Sequence, residues 1–209
     1  MNTTKKFWDR IANRYSKITI ADDESYQKKL KVTREYLQPS MNVLELGCGT
    51  GTTAVKHAGY VQHIRAVDIS PKMLEIAKAK AQAERITNID FEQAEIDQLQ
   101  VDKSSVNAVL AMSILHLLEN KETVIKDIYT SLKPGGVFIS STSCLADSLK
   151  IIRLIAPIGR FLGLMPVVKV FTTKDLLALL QAQGFEIEYQ WQPDISKAIF
   201  IVAKKPAAD

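Results

Sequence analysis

From Met41 onward, short apolar runs alternate with stretches of helical pattern, and this alternation narrows the possible folds more than any other feature. Apolar runs that stop abruptly at turn residues read as strands of a parallel sheet, which are covered on both faces and show little period-two alternation. They fall at 41–46 (MNVLEL), 63–68 (HIRAVD), 88–93, 105–112 (SVNAVLAM) and 137–141. Between them, Ser70-Pro71 opens a helical stretch over 72–85, with proline at a first position where its missing N–H does no harm. Asn120 is a plausible N-cap for another helix ending near Leu132, and Lys133-Pro134-Gly135-Gly136 has turn chemistry before the fifth strand. A last helix over 173–183 stops at Gly184, and the strands 185–191 and 197–203 are joined by a turn holding Pro193-Asp194. Alternation that closes in a hairpin predicts a doubly wound α/β fold, mainly parallel, with one antiparallel strand near its edge.

Two segments stand outside that pattern. Residues 1–40 read as an N-terminal helical lid carrying Phe7, Trp8, Tyr15, Tyr26 and Tyr36, which leaves 41–209 as the ligand-binding domain. Residues 143–172 form an apolar, basic insertion that leaves the carboxyl end of a strand, where open α/β sheets bind their ligands. The net charge of +4 lies wholly in residues 1–40, with nine Lys/Arg against five Asp/Glu, because the other 18 basic and 18 acidic residues cancel. No dense basic cluster accompanies it, so nucleic acid is not an expected partner. Two cysteines are too few for a disulfide framework, and the charged start MNTTKKFWDR lacks the apolar run of a signal peptide. The apolar stretch 151–170 is broken by charges, prolines and glycines, so a membrane span is not expected and a cytoplasmic location is.

Directly after the first run comes Glu45-Leu46-Gly47-Cys48-Gly49-Thr50-Gly51. Glycine at alternate positions lets the backbone turn sharply and approach a ligand closely. A dinucleotide-binding loop would read GxGxxG and need glycine at position 52, where this chain has Thr52. It would also aim a helix N-terminus at a pyrophosphate, beside which a carboxylate such as Glu45 is unfavourable. Beside an amino group the same carboxylate is favourable. The loop therefore suits a nucleoside carrying an ammonium, and Thr52 with Glu45 opposes a nicotinamide-dependent dehydrogenase. Asp68 ends the second run, 21 residues after Gly47, where a carboxylate can accept from both ribose hydroxyls. The alternative is a cap for the helix that follows.

On these residues the chain resembles the class I S-adenosylmethionine-dependent methyltransferases. VLELGCGTG is similar to that family's first motif, AVDIS to its ribose-binding segment and SLKPGG to the turn before its fifth strand, a resemblance that covers 41–142. It implies a Rossmann-like, seven-stranded, mostly parallel sheet with S-adenosylmethionine as cofactor and S-adenosylhomocysteine as product. By the same resemblance Gly47, Gly49 and Gly51 would wrap the methionine part, with Glu45 near its amino group, Asp68 on the ribose, and Ile69 and Met73 against the adenine. Ala94-Glu95 stands where relatives show a Gly-Asp pair, so Glu95 would accept from the adenine amino group with a longer reach and the Ile96 N–H would face the ring. The alternative for Glu95 is a surface acid starting a short helix. Met112, at the end of the fourth run, belongs to the same expected site, and Asn107, where relatives often have an acid, is given no role. Tyr15 in FWDRIANRY matches an aromatic that relatives place near the sulfonium, where a π-face meets a cation. It could equally be one more apolar contact of an amphipathic helix.

Cys48 reads as a small filler of the loop, since a nucleophilic cysteine needs a base partner and none is evident. Methyl transfer needs a base only if the acceptor must lose a proton. His116 in SILHLL, just after the fourth strand, is the candidate base, or else an ordinary helix-start histidine; Tyr26 is a second candidate from the lid. His57 and His63 read as structural. The absence of Asn-Pro-Pro-Tyr after the fourth strand counts against methylation of exocyclic base nitrogens. The stretch 145–171, with Lys150, Arg153, Arg160 and Lys169 against Asp147, reads as an apolar cap in transient contact with a membrane surface, or as a lid packed on its own domain. The resemblance is to the small-molecule branch that includes quinone-biosynthesis methyltransferases, implying a small hydrophobic or aromatic acceptor. An RNA or protein methyltransferase, a non-catalytic cofactor-binding module, and a monomeric or homodimeric state all stay open.

Overall fold

The computed structural model describes residues 3–19, 22–144 and 168–207; most of the insertion, and with it the expected cap or membrane contact, lies outside the described residues. Among the described residues no helix is long and apolar enough to cross a membrane. The chain begins with helices α1 (Thr3–Tyr15) and α2 (Asp23–Glu35), then runs β1 (Asn42–Leu46), α3 (Thr52–His57), β2 (His63–Asp68), α4 (Pro71–Ala83), β3 (Ile89–Gln93) and β4 (Val106–Met112). It continues through α5 (Lys121–Ser131), β5 (Leu132–Thr142), α6 (Thr173–Ala182), β6 (Glu186–Trp191) and β7 (Ile199–Lys204), with single 3-10 turns at Ala58–Tyr60, Ile96–Gln98 and Leu115–Leu117.

The seven strands form one sheet in the order β3-β2-β1-β4-β5-β7-β6. The pairs among β1 to β5 are parallel, and β7 runs antiparallel to both β5 and β6. This is the doubly wound, mainly parallel sheet that the alternation predicts. Buried central strands and half-exposed edges follow from the residues: Ala108 to Ala111 of β4 and Ile199 to Ala203 of β7 are buried, whereas β6 (EIEYQW) alternates exposed and part-buried positions. Strand period then splits the core in two. Leu44, Val109, Phe138 and Leu176 lie in one cluster, while Val43, Ile64, Leu110 and Phe200 lie in the other. Val32 of α2 and Leu37 join that second cluster, so the N-terminal region is packed into the same core.

Helices α4 and α6 start on clear side-chain caps. At α4 the Ser70 hydroxyl accepts from the Met73 N–H at 3.2 Å, with Pro71 following. At α6 Thr172 and Asp175 cap each other reciprocally, each accepting from the other's backbone N–H at 3.0 Å.

The Lys133–Gly136 turn is not where the sequence places it, ahead of the strand. Leu132 already pairs with Val106, and Val137 resumes with Ala108, so residues 133–136 bulge out within β5. The bulge is closed by the C-terminal chain: the Gly135 N–H donates to the Lys205 carbonyl at 3.0 Å, and the Lys205 N–H donates to the Gly136 carbonyl at 2.8 Å. The Lys205 ammonium also caps α5, donating to the carbonyls of Tyr129 at 2.8 Å and Leu132 at 2.7 Å.

Phe200, wholly buried in the middle of β7, tests this packing. Phe200→Ala should lower unfolding free energy by about 3–5 kcal/mol in urea titrations, whereas Ile195→Ala should change it by less than about 0.5 kcal/mol. Ile195 is 65% exposed in the β6–β7 turn.

Candidate active site

β1 delivers the chain into a loop whose glycines 47, 49 and 51 all have positive φ (+65°, +54° and +72°). At two of them the space is closed as well. A Cβ at Gly51 would lie 2.7 Å from the Ala77 Cβ of α4, and one at Gly47 would lie 2.7 Å from the Ile114 side chain. The Cys48 N–H donates to the Val67 carbonyl at 3.0 Å, and the Lys80 ammonium reaches over from α4 to the Thr50 carbonyl at 2.9 Å and the Thr52 hydroxyl at 2.6 Å.

Asp68 is the link between this loop and the next element. One carboxylate oxygen accepts from the Gly49 N–H at 2.8 Å and the other from the Ser70 N–H at 2.9 Å. The side-chain cap of α4 is Ser70, so the capping alternative for Asp68 gives way to a strut between two loops. Each oxygen keeps a further lone pair for a ligand. Burial raises the Asp68 pKa against the lowering effect of those amides. Helix α1 is tied to the same point: the Ser70 hydroxyl donates to Asp9 at 2.6 Å, and Lys5 pairs with Asp9 at 2.7 Å.

Two cavities open on either side of the glycine loop. The first, about 680 Å³, is lined by Trp8, Asp68, Ile69, Met73, Glu95 and Ile96 among others. The second, about 670 Å³, is lined by Tyr26, Lys29, Glu45, Cys48, His57 and Ser141 among others. Tyr15, Gly47, Gly49, Met112 and Ser113 line both, so the two form one bent trough over the carboxyl ends of β1, β2, β4 and β5. Tyr15, 44% exposed at the end of α1, stands where the halves meet. Glu95 both lines the first half and serves as the N-cap residue of the Ile96–Gln98 turn.

Glu45 is the most strained group of the trough. It is only 2% exposed, and its Oε2 atom has no hydrogen-bond partner among the described residues. Burial, with the Asp68 charge adding to it, pushes its pKa up to about 8. A buried carboxyl in that state is complementary to a cation with N–H donors. Burial also drives the Cys48 thiol pKa far up, with the charges of Glu45 and Asp68 adding, which fits a filler and not a nucleophile.

Two expected site residues line neither half. Gly51 is the N-cap residue of α3 and packs against Ala77 and Phe91, so its part is to bring the loop close to α4. His116 sits in the Leu115–Leu117 turn behind the trough, where its carbonyl accepts from the Lys169 N–H at 2.8 Å. Burial lowers its pKa to about 4, and the structure does not bring it to the site as a base. His57, read from the sequence as structural, is wholly buried and also lines the wall of the second half. Its Nδ1 is 2.9 Å from the Thr53 carbonyl, and burial lowers its pKa to about 4, leaving a neutral imidazole at neutral pH. His63 pairs with Asp90 at 3.0 Å between β2 and β3, remote from both halves. Burial raises the Tyr26 phenol pKa, so Tyr26 is a neutral hydroxyl on this wall.

Sequence reasoning missed Lys29, Ser113 and Ser141. Lys29 shares a helix face with Tyr26 and Thr33, a spacing that a helical wheel would have exposed. Ser113 has φ +59° at the floor of the trough, held by its N–H donating to the Ser141 carbonyl at 2.7 Å, and a serine gives no warning of that backbone strain.

A family model described as a methyltransferase domain matches residues 37–198. Among curated proteins, an arsenite methyltransferase from Halobacterium salinarum is 28% identical over 83% of this chain and 49% of its own length. A demethylmenaquinone methyltransferase from Leptospira interrogans is 35% identical over 48% of this chain and 42% of its own. The chain thus spans about half the length of the curated relatives it matches. Among solved structures, a putative methyltransferase from Haloferax volcanii, in complex with the Trm112 methyltransferase activator, superposes with a TM-score of 0.76 at 15% identity, covering 99% of each chain. A putative S-adenosylmethionine-dependent methyltransferase from Listeria monocytogenes gives 0.70 at 22% identity, covering 86% of this chain and 96% of the other. These two structures share the fold. Matched over most of its length by that model, with the glycine loop and Asp68 inside the matched span, the chain belongs to the methyltransferase-domain family.

Proposed function

We propose that this protein is a methyltransferase that uses S-adenosylmethionine and acts on a small-molecule acceptor. The observation that carries this reading is the buried carboxyl of Glu45 beside the glycine loop, whose Oε2 has no hydrogen-bond partner among the described residues. Its complement is a cation, and the methionine part of this cofactor carries an ammonium. When bound, S-adenosylmethionine supplies a methyl group already activated by its sulfonium charge. The first half of the trough suits adenosine: Asp68 for the ribose hydroxyls, Ile69 and Met73 for the faces of the ring, Glu95 and the Ile96 N–H for its edge. Gly47 and Gly49 leave room for the chain that crosses into the second half, where Glu45 holds the amino group.

Tyr15 then offers its π-face at the junction of the two halves, a contact of about 0.5–2 kcal/mol with a cation. With His116 off the trough and His57 held neutral by burial, this chain contributes mainly alignment and exclusion of water. An acceptor that arrives ionised, or needs no deprotonation, suits such a site. A space of about 670 Å³ behind α1 and α2 fits a small molecule better than an RNA or protein chain. Arsenic, the substrate in the name of the halobacterial relative, binds soft thiolates, and the two cysteines here are buried in separate core clusters.

Calorimetric titration with S-adenosylhomocysteine tests the reading. The wild type should bind it and not NADH, and Asp68→Ala should weaken binding by about 100-fold or more, as loss of a ribose acceptor and of the loop strut together imply. At pH 7 the cation should ionise Glu45, so binding should release a proton, seen as a buffer-dependent heat. Glu45→Gln should abolish that release and weaken binding by roughly 10- to 150-fold. The same variant should raise the Tm of the ligand-free protein. The native carboxyl keeps its proton up to about pH 8, whereas in the unfolded chain it loses it around the ordinary glutamate value of 4.5, so wild-type stability should fall as pH rises between those values. In Glu45→Gln that slope should be absent. No binding of S-adenosylhomocysteine by the folded wild type would contradict the reading.

A further inference from the structure

The second half of the trough holds a positive charge in addition to the groups assigned to the cofactor above. Lys29 extends from α2 and donates to the Ser141 hydroxyl at 2.9 Å. Among the described residues no carboxylate pairs with it. Asp22, whose field favours its charged form, is itself paired with Lys197 at 3.4 Å. A part-buried ammonium whose recorded partner is one neutral hydroxyl lacks a counter-ion. Burial lowers its pKa accordingly.

The geometry also indicates the shape of the missing anion. Ser141 accepts from Lys29, so its own O–H remains free to donate. Ammonium and hydroxyl therefore offer two donors side by side, a match for the paired oxygens of a carboxylate. Position assigns it to the acceptor. Ser141 lies on β5, and β4 separates β5 from β1, the strand that carries Glu45. Two strand spacings amount to about 10 Å. The cofactor's own carboxylate shares a carbon with its amino group, so a cofactor anchored at Glu45 holds that carboxylate nearer to β1 than to β5.

We propose that Lys29 and Ser141 bind a carboxylate on the methyl acceptor, making the acceptor a small carboxylic acid and not a neutral apolar molecule. This rests on the methyltransferase reading above and deepens it. Thr33 and Tyr26, on the same face of α2, extend the polar wall beside the anchor, while Met112 and Ile18 provide its apolar part.

The test uses protein saturated with S-adenosylhomocysteine and titrated with acetate, benzoate and 4-hydroxybenzoate, each against its neutral amide. At least one acid should bind about tenfold or more tightly than its amide. Lys29→Met should erase that preference while leaving S-adenosylhomocysteine affinity within about twofold, and Lys29→Arg should retain it in part. Ser141→Ala should reduce it. The proposal is overturned if no acid is preferred over its amide, or if the preference survives in Lys29→Met. A large loss of S-adenosylhomocysteine affinity in Lys29→Met would also overturn it, because the lysine would then serve the cofactor. Failure of the wild type to bind S-adenosylhomocysteine would instead defeat the parent reading.

Discussion

The two hydrogen bonds from the backbone of Gly49 and Ser70 to Asp68 fix the geometry on which the trough depends. One bond sets the height of the glycine loop after β1, and the other sets the start of α4 after β2. Ser70 in turn caps α4 and donates to Asp9, so the same carboxylate locates α1 through the backbone N–H and the hydroxyl of Ser70. Fixing these elements to one another is what lets a cavity persist on each side of the loop. A site that aligns two reactants gains more from such rigidity than from any single contact with them.

The site is bought with stability. Glu45 is buried with an unpartnered oxygen, Ser113 is held at positive φ, and burial opposes the charge of both Asp68 and Lys29. These features cluster around one trough, whereas the apolar clusters on the two faces of the sheet are conventionally packed. The sheet supplies the stability that the trough gives up. A ligand bearing complementary charges would restore it, so binding should be coupled to proton release and to thermal stability.

Much of the fold was legible because it rests on local signals. Buried strands are contiguous apolar runs, the glycine loop is a backbone requirement written in residue type, and Ser70-Pro71 announces a helix. The bulge at 133–136 was not legible as such. Its turn residues were visible, but its place inside β5 depends on Leu132 pairing with Val106 and on Lys205 returning from the end of the chain. Of the site, the glycine loop and Asp68 followed from order along the strands, whereas Ile69, Met73, Glu95 and Ile96, which line the first half of the trough, came from the family resemblance. The histidines did not: His116 follows the right strand but a single 3-10 turn sets it behind the trough, and His57 reaches the wall because α3 packs beside α2. Lys29 was hidden for a similar reason. A lysine on an amphipathic helix is normally solvated, and only the packing of α2 over β5 puts this one against Ser141.

A crystal structure of the protein with S-adenosylhomocysteine bound tests the geometry of the trough directly. The expected result is a ligand bent over the glycine loop, its ribose hydroxyls on Asp68 and its amino nitrogen within about 3 Å of Glu45 Oε2. A ligand seated elsewhere, or one whose amino group faces solvent while Glu45 stays unpartnered, would contradict it.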